Sequence, residues 1–434
     1  MEAGRRCLIF SQNDMARRYF ENALKRNQGS VEVLARLTHI HLRHNRLQEA
    51  TELAERALHL DNTFGPVRLY RATLHRLAGE LPAAENLLRA FLSQPHDDLW
   101  TQTLAWYELG TVLDSQKRYD DAMAAFLQAK TSIQPLAVRN GAYLEKVCQE
   151  WRETARTISA HQLRQWHETG AAFQPRHRFA LLCGHPRSGT TLLEQVLDSH
   201  PAIVSTEETI IFSDEALIPL ADGKPIDSVP LLSLAESAST ERLQQSRANY
   251  FRTTERFLGQ PVGNRLLVDK NPALTPAIPA VLRIFPEARF LVALRDPRDV
   301  CISCFVQPLM PSLPTSTVFQ SLEATAAEYA AVMGLWQALK PVMPAPVLEV
   351  RYEDLVQDVE SVARRTLEFL EVEWNDRVLE FQKHTQNKLV RSPTYADVRK
   401  PVTKKAVGRW QNYQKYLEPC LPVLEPFAKA FGYE

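Results

Sequence analysis

Phe179-Ala180-Leu181-Leu182-Cys183 runs directly into Gly184-His185-Pro186-Arg187-Ser188-Gly189-Thr190-Thr191, and Leu192, Leu193, Val196 and Leu197 follow. The five apolar residues have the length of a buried strand, and those after the turn repeat at helical spacing. A strand, a glycine-containing turn and a helix aim backbone N–H groups and a helix N-terminus at an anion. The spacing is that of the phosphate loop GxxxxGK[ST], with Thr190 where the lysine belongs. A positive charge stands inside the loop instead, at Arg187. Nucleoside triphosphates need that lysine and Mg²⁺ to offset their terminal charge. A less charged ligand is served by an arginine, backbone donors and two hydroxyls.

The flanking sequence repeats the pattern of a strand followed by a charged group. Ala202 to Ser205 reads as a short strand before Glu207-Glu208-Thr209, and Leu266-Leu267-Val268 precedes Asp269-Lys270-Asn271-Pro272. Phe290 to Leu294 precedes Arg295-Asp296-Pro297-Arg298-Asp299-Val300 and a helix carrying Ser303, and Val347 to Tyr352 reads as a late strand. Parallel strands bring such loops to one edge of the sheet, where open α/β folds bind ligands. His200-Pro201 terminates the first helix, so His200 reads as structural. Cys301 and Cys304 form one CxxC with no second pair to complete a zinc site, and burial in the helix is expected. Phe305 to Ser316, with Pro308, Pro311 and Pro314, reads as an irregular loop beside the site, in the position of a lid or specificity element.

Pro186-Arg187-Ser188-Gly189-Thr190-Thr191-Leu192 resembles the 5′-phosphosulfate loop of sulfotransferases that use 3′-phosphoadenosine 5′-phosphosulfate (PAPS). The resemblance implies that Arg187, Ser188, Gly189, Thr190 and Thr191 hold the phosphosulfate. It implies that Arg295 and Ser303 hold the 3′-phosphate, that 3′-phosphoadenosine 5′-phosphate (PAP) is the product, and that no metal takes part. Gly408-Arg409-Trp410 is similar to the basic segment covering the cofactor, which implies a nucleotide contact for Arg409. Val398-Arg399-Lys400-Pro401 is similar to a second basic motif, with Pro401 replacing its glycine. The stretch around Glu208, 21 residues after Arg187, looks most like the tyrosylprotein sulfotransferases. That likeness implies Glu208 as general base and Lys270, with Arg187, as stabiliser of the leaving oxygen. It also places Thr394 at the position of a cofactor-side serine. Glu207 is expected to be a surface carboxylate or a helix N-terminal charge; as a like-charged neighbour it would raise Glu208. The implied acceptor is a hydroxyl, with protein tyrosine, carbohydrate and small molecules all open.

The first half differs in texture. Ala16, Ala50 and Ala84 are 34 residues apart, and Ala23, Ala57 and Phe91 follow each by seven. A fourth copy, from Ala122 to Ala129, comes after a four-residue insertion. Trp106, Leu109, Gly110, Tyr119, Ala122 and Phe126 carry the fullest match to the tetratricopeptide (TPR) consensus, a 34-residue helix pair. Repeats are expected over 1–135, with Met1 already inside the first helix. Capping and linker helices over 136–174 (136–158 and 159–169) come next, then the sulfotransferase domain over 175–434. The expected fold is therefore an all-α TPR solenoid followed by a P-loop-like, three-layer α/β domain with a mostly parallel sheet. Such solenoids bind protein segments on a concave face, so a protein partner is implied; a stability or dimerisation role is the alternative.

Composition limits the function. Lys+Arg and Asp+Glu are both 51 among 434 residues, so no general affinity for nucleic acid or membrane surfaces is expected. No apolar run reaches the ~18 residues of a membrane helix, and Cys7 to Phe10 is too short for a signal peptide. The membrane anchor of the animal tyrosylprotein enzymes is thus not expected. Six cysteines do not make a disulfide framework, which points to a cytoplasmic protein. Two rivals stay open. A P-loop kinase is opposed by Thr190, and a non-catalytic TPR scaffold is opposed by Glu208 and Lys270.

Overall fold

The computed structural model describes residues 1–9, 13–94, 98–137, 141–224, 229–308, 318–387 and 401–433. The chain divides into two compact units. The first comprises Met1–Gly141, Phe305–Ser321 and Asn412–Lys415; the second comprises Ala142–Cys304, Leu322–Gln411 and Tyr416–Glu434.

The first unit is built of helix hairpins: α1 (Glu2–Ile9) with α2 (Asn13–Arg26), α3 (Val31–Arg43) with α4 (Leu47–Leu60), α5 (Gly65–Leu77) with α6 (Leu81–Leu92), and α7 (Leu99–Ser115) with α8 (Tyr119–Ala137). Every repeat alanine, at 16, 50, 84 and 122, is fully buried. One packing position explains how the hairpins close. A Cβ on Gly110 would lie 2.4 Å from Phe126, and one on Gly4 would lie 2.8 Å from Phe20, at the same sixteen-residue offset. Where the second residue of the pair is smaller the first is larger: Thr38 and Ala54, then Ala72 and Leu88, all buried.

The hairpin turns share a backbone geometry. Asn45 (φ 56°), Gly79 (φ 83°) and Lys117 (φ 61°) are left-handed at equivalent positions. The next N–H in each donates back to the helix at 2.9 Å: Arg46 to His41, Glu80 to His75 and Arg118 to Leu113. These bonds stop the first helix of each pair.

Segments from late in the chain complete this unit. Lys130 lies over the rings of Tyr107 (5.3 Å) and Phe305 (4.7 Å). Tyr413, fully buried, donates its hydroxyl to Asp114 and meets Tyr119 edge-on at 5.7 Å. Lys415 pairs with Asp120 at 2.7 Å.

The second unit begins with α9 (Gly141–Thr157) and α10 (Ala160–Gly170). A capping helix was expected from Leu136, but α8 runs on to Ala137. Next come β1 (Phe179–Gly184), α11 (Thr190–Asp198), β2 (Ile203–Glu207), α12 (Leu231–Ser237), α13 (Thr240–Leu258), β3 (Leu266–Lys270) and α14 (Ile278–Ile284). They are followed by β4 (Arg289–Leu294), α15 (Pro297–Phe305), α16 (Leu322–Leu339), β5 (Val347–Arg351), α17 (Tyr352–Gln357) and α18 (Val359–Phe369). The five strands form one parallel sheet in the order β2-β3-β1-β4-β5.

One sheet face, with Ala180, Leu182, Val268, Leu291 and Val350, packs against Leu193 and Val196 of α11 and Val362 and Leu367 of α18. On the other, Phe179 joins an aromatic cluster with Tyr250, Phe251 and Phe285. Because every strand is parallel, the loops after β1, β2, β3 and β4 leave the sheet along one edge. Among the described residues no helix is long and apolar enough to cross a membrane.

Candidate active site

The loop after β1 is forced into shape by its neighbours. Gly184 (φ 128°) pairs with Ala293 on β4, and a Cβ there would lie 2.3 Å from the Ala293 carbonyl oxygen. Gly189 (φ 90°) caps α11 and stands against Tyr352, whose ring a Cβ would meet at 2.5 Å. Between them Arg187 takes φ 72°, a region that costs a side-chain-bearing residue about 1–3 kcal/mol. Ser188, Thr190 and Thr191 are buried, and the first turn of α11 adds its backbone N–H groups.

Three predicted anion ligands meet here. Arg187 Nε donates to Ser303 Oγ at 3.0 Å, and Arg295 Nη1 donates to the Arg187 carbonyl at 3.1 Å. Arg295 also reaches the Ala406 carbonyl, lies 3.7 Å from Asp299 and stacks over Tyr352. Its Nε is buried with no hydrogen-bond partner among the described residues. Asp299 accepts the N–H groups of Gly408 and Trp410, both at 2.8 Å. Arg409 lies between these anchored residues and opens the short helix Arg409–Tyr413. Arg298, bidentate on Asp296, stacks on Trp410 at 4.1 Å. Thr394, Arg399, Lys400 and most of the predicted loop, residues 309–317, lie outside the described residues.

The second cluster joins β2 and β3. Their register sets Glu207 level with Lys270. Glu208 follows at φ 38°, its N–H donating to the Lys270 carbonyl at 2.8 Å. Lys270, fully buried, donates from Nζ to Glu208 Oε1 at 2.6 Å and lies 3.7 Å from Glu194 Oε2. Burial works against the Lys270 charge, but Glu194 and then Glu208 outweigh it and hold the ammonium above its ordinary pKa. The Glu208 carboxylate is about one-third exposed and thus open to an acceptor.

Glu207 corrects an expectation. It is buried, not on the surface, and accepts a hydrogen bond from Gln195 Nε2 at 3.2 Å. The strand continues two residues past Ser205, so Glu207 is still part of the sheet. His200 has the structural place expected of it. Its Nε2 donates to the Glu373 carbonyl at 2.9 Å and its Nδ1 accepts from Ala202 N–H at 3.1 Å. Burial lowers its pKa. Cys301 and Cys304 are buried in α15.

His185 carried no role in the sequence reading. It is fully buried, with Nε2 2.7 Å from Glu328 and Nδ1 2.9 Å from the Pro186 carbonyl. Burial pushes its pKa down, but the charge of Glu328, with hydrogen bonds to Cys304 and Glu328, carries it up to about 10. Both ring nitrogens face acceptor oxygens, two residues before Arg187. Glu194 was missed as well. Its only sequence signal is a Glu-Gln pair inside an apolar helix, a pair that α11 buries completely.

The first strand of the parallel sheet thus feeds a lysine-free, P-loop-like turn, and the ends of β2 and β3 carry a Lys–carboxylate pair. Comparison with known proteins is specific. Residues 180–376 match the sulfotransferase family, and residues 10–63 and 69–136 match the tetratricopeptide repeat. Residues 180–376 of the α/β half thus carry a sulfotransferase-family match, on the same chain as the TPR match. The chain is 28% identical over 418 residues to an uncharacterized protein of Aquifex aeolicus, covering 93% of this chain and 51% of that protein. It is 28% identical over 243 residues to a protein-tyrosine sulfotransferase of Drosophila melanogaster, covering 52% and 46%. The chain thus spans about half the length of these relatives. A sulfotransferase domain from the Synechococcus PCC 7002 olefin synthase superposes with a TM-score of 0.43 at 20% identity, over 59% of this chain and 96% of that one.

Proposed function

We propose that the protein transfers the sulfuryl group of PAPS to an acceptor hydroxyl, with Glu208 as base and with cations supplied by its own side chains. The observation that carries this reading is the Lys270–Glu208 pair at 2.6 Å, on the same sheet edge as the Arg187–Ser303–Arg295 cluster. The donor set fits such a cofactor. The buried Arg295 Nε, unpartnered among the described residues, the N–H groups opening α11, and the hydroxyls of Ser188, Thr190 and Thr191 suit an anion.

Bound PAPS would supply an activated sulfuryl group to the acceptor oxygen, leaving the bonding electrons on the departing phosphate. Glu208 takes the acceptor's proton on a carboxylate oxygen. Lys270 and Arg187 offset the charge gathering on the departing phosphate. Ser188, Gly189, Thr190 and Thr191 hold the 5′ end; Arg295, Ser303, Arg409 and Thr394 complete the nucleotide contacts.

The Drosophila relative's name makes protein tyrosine the first acceptor class to test, and the repeats are the candidate surface for a protein partner. All six cysteines are free thiols, which supports a reducing cytoplasm as the place of action. The test is calorimetry with PAP and with ATP/Mg²⁺, followed by transfer from labelled PAPS to an acceptor panel in EDTA. Tight PAP binding and EDTA-resistant transfer are expected. Binding of ATP/Mg²⁺ in preference to PAP would favour the kinase, and binding of neither would favour the scaffold.

A further inference from the structure

Lys270 must stay charged through the transfer, yet its nearest counter-ion is the proposed base. When Glu208 takes the acceptor proton it becomes neutral, and a fully buried ammonium that loses its counter-ion carries a large desolvation penalty. A second carboxylate stands on the other side. Glu194 Oε2 lies 3.7 Å from Lys270 Nζ, and both side chains are fully buried. Glu194 is itself held: its Oε1 accepts the Ser205 hydroxyl at 2.6 Å. Ser205 is fixed in turn, because its N–H donates at 2.8 Å to Asp198, one turn further along the same helix. Two carboxylates of α11 therefore grip one serine of β2, and the helix that opens at Gly189 reaches Lys270 through Glu194.

We propose that Glu194 is a positioning residue: a lasting counter-ion, oriented by Ser205, that keeps Lys270 aimed and charged while Glu208 gains and releases its proton. The charges facing Lys270 divide accordingly. Glu194 comes from α11, Glu207 and Glu208 from the end of β2, and Asp269 from Lys270's own strand. Glu207 is occupied with Gln195, and Asp269 accepts the Tyr250 hydroxyl at 2.7 Å. The charge of Glu194, together with the charge and hydrogen bond of Glu208, raises the Lys270 pKa against its burial.

The inference rests on the sulfuryl-transfer reading, and its test separates the two. Glu194→Gln keeps the shape and removes the charge. Turnover should fall roughly 10- to 100-fold, as for a misplaced catalytic group, with PAP affinity by calorimetry and the KM for PAPS within about threefold of wild type. The alkaline limb of kcat should move down by about 1–3 pH units, the usual effect of losing one close opposite charge. The slowly exchanging ¹⁵N ammonium signal of Lys270, followed without cofactor, should shift or disappear. If Glu194→Gln does not fold, Ser205→Ala, which frees only the orienting bond, should move turnover and the Lys270 signal in the same directions. Unchanged turnover, alkaline limb and Lys270 signal in a folded variant would overturn the proposal. A wild-type protein that transfers no sulfuryl group would defeat the transfer reading instead, and the Lys270 signal would then decide the inference alone.

Discussion

Left-handed residues occur in both units but have opposite relations to their side chains. In the repeats, Asn45, Gly79 and Lys117 share one turn position. The bond that all three turns share is between backbone atoms, so three unrelated residue types serve. In the α/β unit, Arg187 (φ 72°) and Glu208 (φ 38°) stand where glycine would be easier, yet each side chain is engaged, on Ser303 and on Lys270. Strain that backbone bonds satisfy leaves the residue free to vary. Strain at a residue whose side chain is engaged points to that side chain as the reason it persists.

The largest effect that can break this contrast is at Glu208. Glu208→Ala should lower turnover by about 10²–10⁴-fold, the usual contribution of a positioned base, with PAP affinity nearly unchanged. Glu208→Gly relieves the backbone and should lose as much. Near-normal turnover in both, with loss in His200→Ala, would move the base to the histidine. Arg295→Ala comes next. A lost charged hydrogen bond is worth about 1.5–3 kcal/mol, roughly 10- to 150-fold. PAP should weaken by that factor while adenosine 5′-phosphosulfate, without a 3′-phosphate, weakens much less. Equal losses would mean that Arg295 acts only as a clamp on the Arg187 and Ala406 carbonyls.

The repeat side of the contrast predicts stability changes and no loss of chemistry. Gly110→Ala would drive a Cβ into the Phe126 ring and should cost about 1–3 kcal/mol, as overpacking does, read as a lower urea midpoint. Lys117→Gly should have the smallest effect, a gain of about 0.5–1 kcal/mol as left-handed strain is exchanged for glycine's greater chain entropy. A loss there would show that the lysine side chain matters to its turn.

Sequence and structure agree where spacing carries the signal. The repeat alanines and the β1–α11 loop were legible because periodicity and glycine placement are local properties. The partners of these residues were not. Glu208 reaches Lys270 across 62 positions and Arg187 reaches Ser303 across 116, and only the strand order brings them together. Glu207 was misread because a strand end and a surface turn look alike until the register with β3 is known. His185 and Glu194 resemble ordinary polar residues in an apolar stretch; their meaning comes from Glu328 and Lys270, on other elements.

The contact between Tyr413 and Asp114 spans 299 positions of the chain. During synthesis the helix hairpins leave the ribosome first, but the residues that close their last face come far later. At roughly 5–20 residues per second the wait is about 15–60 s. Over that interval Asp114, Tyr119 and Asp120 have no Tyr413 or Lys415 to meet, and the first unit to emerge is among the last to be finished.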